Sequence, residues 1–116
     1  MFVKKEQPFV HTAELDWEVV GDGVRRKIGA YDDILTAVYV EFTKGSVGNL
    51  HAHPHHQVTY IQSGSFEVTI GSQKGVLRGG DFYYIPENVK HGVLALEDSV
   101  LVDFFSPCRK DFVEGK

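Results

Sequence analysis

The chain has 116 residues, of which 42% are hydrophobic, 24% charged and 12% aromatic, a length suited to one core and a composition unlike that of disordered, collagenous or membrane chains. Twelve Lys and Arg against sixteen Asp and Glu leave a net charge of −4, and with no basic block longer than Arg25-Arg26-Lys27 a nucleic-acid partner is not expected. The single Cys108 cannot close an internal disulfide, no apolar leader follows the start Met1-Phe2-Val3-Lys4-Lys5-Glu6, and apolar runs such as Val93 to Leu96 stop at four residues, so a soluble cytoplasmic protein that does not engage membranes is expected.

In chain order, short stretches rich in β-branched and aromatic residues predict strands at Trp17 to Val20, Arg25 to Ala30, Leu35 to Phe42, Gln57 to Gln62, Ser65 to Ile70, Lys74 to Leu77, Asp81 to Ile85, Gly92 to Leu96 and Val100 to Phe105. Turn signals separate them at Gly64, Gly71-Ser72-Gln73, Gly79-Gly80-Asp81 and Pro86-Glu87-Asn88. Helical periodicity is weak throughout, and no linker, repeat or charge block divides the chain. A single all-β domain over residues 1–116, a sandwich or barrel, is the expected architecture.

Four of the six histidines crowd into Leu50-His51-Ala52-His53-Pro54-His55-His56-Gln57. In an extended strand His51 and His53 point to one face, where both imidazoles can grip one ion. Pro54 interrupts pairing, and Gln57 opens the next strand, from which its amide oxygen can return as a third ligand. A fourth must come from elsewhere, and His91 follows the turn Pro86-Glu87-Asn88-Val89-Lys90 that can bring a distant strand back. Spacing alone leaves a metal site and a solvated histidine-rich loop both open. His55 and His56 are read as solvent-facing or outer residues, and His11 as a surface residue.

The stretch Gly45-(five residues)-His51-Ala52-His53-(three residues)-Gln57-(six residues)-Gly64, followed by Gly80-(five residues)-Pro86-Glu87-Asn88-(two residues)-His91, resembles the two cupin motifs. Gln57 stands where most members carry glutamate, Asn88 replaces the usual glycine, and Ala95 stands where asparagine is common. Asn tolerates the left-handed backbone of a turn glycine, so that departure is conservative. The resemblance implies a double-sheet jelly-roll β-barrel and a metal site of three histidines and one glutamine.

The strand Ser99-Val100-Leu101-Val102-Asp103-Phe104-Phe105 carries one carboxylate in an apolar run. Burying it unpaired costs several kcal/mol, so it must meet water, a cation or a working site. Alternation sets Leu101, Asp103 and Phe105 on one face and Val100, Val102 and Phe104 on the other. Taken alone, Asp103 reads as an edge-strand residue facing solvent, and Arg109 as part of a polar surface tail.

A closer resemblance covers nearly the whole chain. The opening Met1 to Glu6, the segment Gly21-Asp22-Gly23-Val24-Arg25-Arg26-Lys27-Ile28, the histidine segment and the closing Val102-Asp103-Phe104-Phe105-Ser106-Pro107-Cys108-Arg109-Lys110-Asp111-Phe112 look like the pectin-degradation cupins, small cytoplasmic proteins that linearise 4,5-unsaturated uronates from pectin or alginate. By position it implies His51, His53, Gln57 and His91 as metal ligands and Asp103, Phe105 and Arg109 as active-site residues. The expected cofactor is one divalent ion, nickel or zinc, with iron or manganese as alternatives. The expected substrate is a small anionic sugar, opened to linear 5-keto-4-deoxyuronate, with Asp103 moving the proton, Phe105 walling the sugar and Arg109 clamping its carboxylate. Arg26 and Arg78 are weaker candidates for that clamp, while Tyr60, Tyr83 and Tyr84 are assigned to core or interface. Exposed apolar strands in a small jelly roll lead to an expected homodimer. The rival functions are a cupin dioxygenase, since some carry the same glutamine, and a non-catalytic sugar-binding cupin.

Overall fold

A computed structural model describes residues 8–113; the opening segment Met1 to Glu6 lies outside them. The elements in order are a 3-10 turn at Thr12–Glu14, β1 (Glu18–Gly21), β2 (Val24–Tyr31), β3 (Thr36–Phe42), β4 (Val47–His51), β5 (His56–Ser63), β6 (Ser65–Ile70), β7 (Gln73–Arg78), β8 (Phe82–Ile85), β9 (His91–Ala95), β10 (Ser99–Ser106) and a one-turn α1 (Lys110–Val113). Each strand expected from sequence is present with ends displaced by no more than one residue. The strand β4 was not among those expectations. Its Gly48-Asn49-Leu50 core lacks the β-branched and aromatic signal that marks the others.

The strands form two antiparallel sheets, one in the order β1-β2-β3-β10-β5-β8 and one in the order β4-β9-β6-β7, and their inner faces pack together. Phe42 and Phe66 meet edge to face across the interface at 5.1 Å, and with Ile61, Val40, Leu101 and Ala95 they fill an apolar floor. Burying a side chain such as Phe66, fully enclosed here, contributes about 2–3 kcal/mol. Registers stack the inward residues in rows, with Leu101 opposite Ile61, Asp103 opposite Thr59 and Phe105 opposite Gln57 across β10 and β5, and Thr59 opposite Tyr83 across β5 and β8. The interior therefore passes from apolar at the Leu101 level to polar at the levels of Asp103 and Gln57.

The turns behave as their residues require. Gly64, Gly71 and Gly80 take positive φ, and Asn88, at φ 60°, adopts the left-handed backbone expected of it. Its N–H donates to His53 O at 2.7 Å, which ties the loop before β9 to the histidine segment.

Candidate metal centre and active site

Three imidazoles converge at the polar end of the barrel. His51 ends β4 and His91 opens β9, paired in register on adjacent strands, with ring centroids 4.4 Å apart. His53 lies 4.7 Å from His91 by the same measure. It belongs to the loop after β4, which corrects the expectation that one regular strand presents both His51 and His53. The inward aim of His51 comes instead from a β-bulge: Gly48 pairs with Val93 and His51 with His91, so three residues of β4 span two of β9. Gly92 sits beneath that bulge, where a Cβ would lie 2.8 Å from Gly48 O and 3.2 Å from Leu50 N.

Each ring is oriented by a backbone carbonyl: His51 Nδ1 bonds Asn49 O at 2.8 Å, His53 Nδ1 bonds His55 O at 3.1 Å and His91 Nδ1 bonds Val89 O at 2.9 Å. A carbonyl only accepts, so Nδ1 carries the hydrogen and each neutral ring keeps its lone pair on Nε2. The ligand-capable atoms of the three rings lie within 4.8 Å of one another. His91 Nε2 is buried with no hydrogen-bond partner, as expected of an atom reserved for a metal. Burial holds the His91 pKa down at about 4 and lowers that of His53, so both favour the unprotonated, ligating form. Three histidines are thus positioned to hold a metal ion.

Gln57 Oε1 lies 2.8 Å from His53 Nε2. Since Nδ1 holds the hydrogen of His53, these are two lone pairs facing a common point, and a shared cation reconciles them where a hydrogen bond does not. The amide is fixed in that sense because Gln57 Nε2 donates to Thr59 Oγ1 at 2.9 Å and to Asp103 Oδ1 at 3.0 Å. Thr59 Oγ1 in turn donates to Asp103 Oδ1 at 2.5 Å. Asp103 is not on an edge: β10 runs between β3 and β5, and burial pushes its carboxyl up to about 6 against the opposing pull of Thr59 and the Arg109 cation. Tyr83 faces inward beside it, its phenol pushed above the usual range by burial and then by the Asp103 charge.

Arg109 is 8% exposed, so the reading of a surface tail fails. Its backbone N–H donates to Thr36 Oγ1 at 2.9 Å and Cys108 N–H to Asp33 O at 3.2 Å, which pins the terminal segment to the start of β3. The guanidinium stacks 3.9 Å from the Phe112 centroid and 4.8 Å from that of Phe105. Phe105 also meets His53 edge to face at 5.4 Å, so it forms a wall between cation and imidazoles. These residues enclose a cavity of about 260 Å³ lined by Arg26, His51, Gln57, Tyr83, His91, Asp103, Phe105 and Arg109 among others. That is close to the lower end of the range for small-molecule sites, ~300–1,000 Å³.

Other candidates fall outside. His55 packs behind Phe105 at 6.2 Å, and His11 and His56 are exposed, as is Arg78. Tyr60 and Tyr84 lie on strands whose inward positions are taken by Gln57, Thr59, Tyr83 and Ile85, so they face outward. Sequence reasoning missed Thr59 and set Tyr83 aside as core or interface; Tyr83 is in the core and also lines the cavity. The signal for Thr59 was available, two residues after Gln57 and hence on its face.

A cupin domain matches residues 38–105. The chain is 48% identical over 102 residues to the pectin degradation protein KdgF of Dickeya dadantii, covering 86% of this chain and 93% of that protein. Among solved structures, KdgF from Halomonas sp. is 42% identical with a TM-score of 0.87, covering 90% of this chain and 97% of that one. An RmlC-like cupin from Shewanella frigidimarina is 36% identical with a TM-score of 0.89 over 92% and 96% of the two chains. The chain belongs to the cupin family.

Proposed function

We propose that this protein opens 4,5-unsaturated monouronates from pectin or alginate breakdown to linear 5-keto-4-deoxyuronate, with a divalent ion held by His51, His53, Gln57 and His91. The observation that carries the reading is the cavity itself: His51, His91, Gln57 and Asp103 line one sugar-sized space with two guanidinium groups, and His53 completes the histidine cluster beside it. The likeness to proteins named for pectin degradation supports it.

The reaction is an isomerisation. As the C1–O5 bond of the cyclic hemiacetal breaks, the C1 hydroxyl loses a proton and becomes the aldehyde, the ring oxygen becomes the C5 enolate, and protonation at C4 gives the C5 ketone. The proton released equals the proton gained, and no oxidant is needed. A bound divalent ion, nickel or zinc in our reading with iron or manganese as alternatives, supplies Lewis acidity toward negative charge on oxygen, and neutral Gln57 leaves it one charge more positive than glutamate would. Asp103, with its carboxyl at about 6, exists in both protonation states near neutrality, which suits it to carry that proton. Thr59 and Gln57 both donate to Oδ1, leaving Oδ2 as the exchanging atom. Phe105 walls the sugar and limits water.

A second copy is part of the reading. Residues Val58, Phe82, Tyr84 and Phe104 are all at least 40% exposed and contiguous across β10, β5 and β8, with Phe104 opposite Val58 and Val58 opposite Tyr84. Together they make one contiguous exposed apolar patch, and a copy presenting the same rows covers it as an isologous dimer. The cytoplasmic setting expected from the lone cysteine belongs to the same reading. Among the described residues no helix is long and apolar enough to cross a membrane.

The test is direct: purified, metal-loaded protein is mixed with an unsaturated monouronate, and loss of double-bond absorbance is followed against the uncatalysed rate. Absence of acceleration would reject the reading.

A further inference from the structure

Arg26 stands inward on β2, between Val24 and Ile28 by alternation and opposite Val40 of the core. A cation at such a position needs an anion. The fold supplies a long ion pair: Glu18 Oε1 lies 3.8 Å from Nε, beyond hydrogen-bond distance. Nε is buried with no hydrogen-bond partner. Burial and the neighbouring Arg109 cation both work against the charge, and Glu18 and Asp111 only partly offset them.

Arg109, the sequence-based choice for the carboxylate clamp, is placed differently. Its Nε and Nη2 donate to the two oxygens of Asp111 at 3.0 and 2.7 Å, so its bidentate edge is already closed by a carboxylate of the same chain. Both guanidiniums lie 3.9 Å from the Phe112 ring centroid, and both line the cavity that holds His51, His91, Gln57 and Asp103. Arg109 is hydrogen-bonded to a carboxylate through two nitrogens, whereas Arg26 Nε has none within hydrogen-bond distance.

We propose that Arg26 is the carboxylate-binding residue of the sugar pocket, receiving the acid group of a hexuronate, while Arg109 is fixed by Asp111 and Phe112 as a flanking cation. The inference rests on the uronate reading for the identity of the ligand. An arginine fork matches a carboxylate in plane and bidentately, and a buried charge otherwise poorly compensated gains most from it. Specificity follows: the same cavity should discriminate a sugar acid from the neutral sugar of the same shape.

The experiment uses the metal-loaded protein and two unreactive probes, galacturonate and galactose, titrated calorimetrically into the parent, Arg26→Gln, Arg26→Met and Arg109→Gln, each checked for thermal midpoint and metal stoichiometry. Arg26→Met keeps an apolar stem against Phe112 should the amide disturb packing. The expected result is that the parent prefers galacturonate and that both Arg26 variants weaken galacturonate roughly tenfold or more with galactose unchanged. Turnover of unsaturated uronate should show the loss in KM, with kcat altered less than about threefold. The proposal is overturned if the parent binds both probes alike, if the folded Arg26 variants bind galacturonate within twofold of the parent, or if Arg109→Gln alone carries the loss. Galacturonate binding that depends on Arg26 in a protein without turnover would reject the ring-opening reading and leave this site standing.

Discussion

Replacing Asp103 with Asn removes a charge while keeping size and an acceptor oxygen for Thr59 and Gln57. Moving a carboxyl from 3.8 to about 6 by burial means that the ionised form costs the fold about 3 kcal/mol at neutral pH. The sign follows from linkage. Because the folded value is raised, Asp103 contributes its full stability below about pH 4, where both states are protonated, and loses it as pH rises through about 6. Asp103→Asn is therefore expected to be more stable than the parent at pH 7.5 by up to about 3 kcal/mol, or about 10 °C in melting temperature, with the difference vanishing near pH 4. The comparison belongs in chelated protein, since a bound cation lowers the carboxyl's pKa and shrinks the gain. In metal-loaded protein the same variant should lose turnover by roughly 10²-fold or more with its metal stoichiometry unchanged. Calorimetric melting at both pH values and absorbance-based turnover at saturating substrate are the assays. A variant less stable at pH 7.5 would make Asp103 a structural acceptor for Thr59 and Gln57, and near-parental turnover would remove it from proton transfer.

Thr59→Val deletes the hydroxyl that orients both Asp103 and Gln57 and should lower kcat about tenfold or more with little change in KM, while Thr59→Ser restores most of it; equal activity of the two would leave the hydroxyl without a role. The double variant His51→Ala/His91→Ala should fail to hold stoichiometric metal after gel filtration, measured by elemental analysis on untagged protein. In chelated protein the His91 ring should titrate near pH 4 by NMR; since its folded value is depressed, its contribution to stability is present above about 6.5 and is lost as pH falls toward 4, opposite in sense to Asp103. Phe82→Glu should convert a micromolar dimer to monomer in sedimentation without changing turnover per chain, and a monomeric parent would remove the dimer.

The sheets were legible because their strands are rich in β-branched and aromatic residues, with clean alternation in β3, β5 and β8, and because the turns carry Gly64, Gly71, Gly80 and Asn88. Local period two also placed Asp103 and Phe105 on one face correctly. It failed where the decisive partner is remote. Whether Asp103 lies at an edge depends on the β3-β10-β5 order, a pairing of segments far apart in sequence. The burial of Arg109 depends on Thr36 and Asp33 receiving the chain terminus, and its engagement by Asp111 on a turn of helix with no periodic signal. Arg26 was nearer to reach: Val24-Arg26-Ile28 is an inward set with one cation in it. β4 was hidden because its residues carry weak propensity and its bulge breaks the parity on which strand reading relies.

That bulge makes the imidazole set a matter of odd and even. Three positions separate Gly48 from His51, an odd step that in a regular strand would set the two side chains on opposite faces, and the bulge absorbs the extra residue and returns His51 to the face of its partner His91. Gly92 sets the spacing as the bulge sets the parity, because the looped-out backbone rests where a side chain would be. The third corner of the metal triangle is thus secured by a bulge that takes up one surplus residue on an edge strand and by a bare hydrogen on its neighbour, two features with no chemistry of their own.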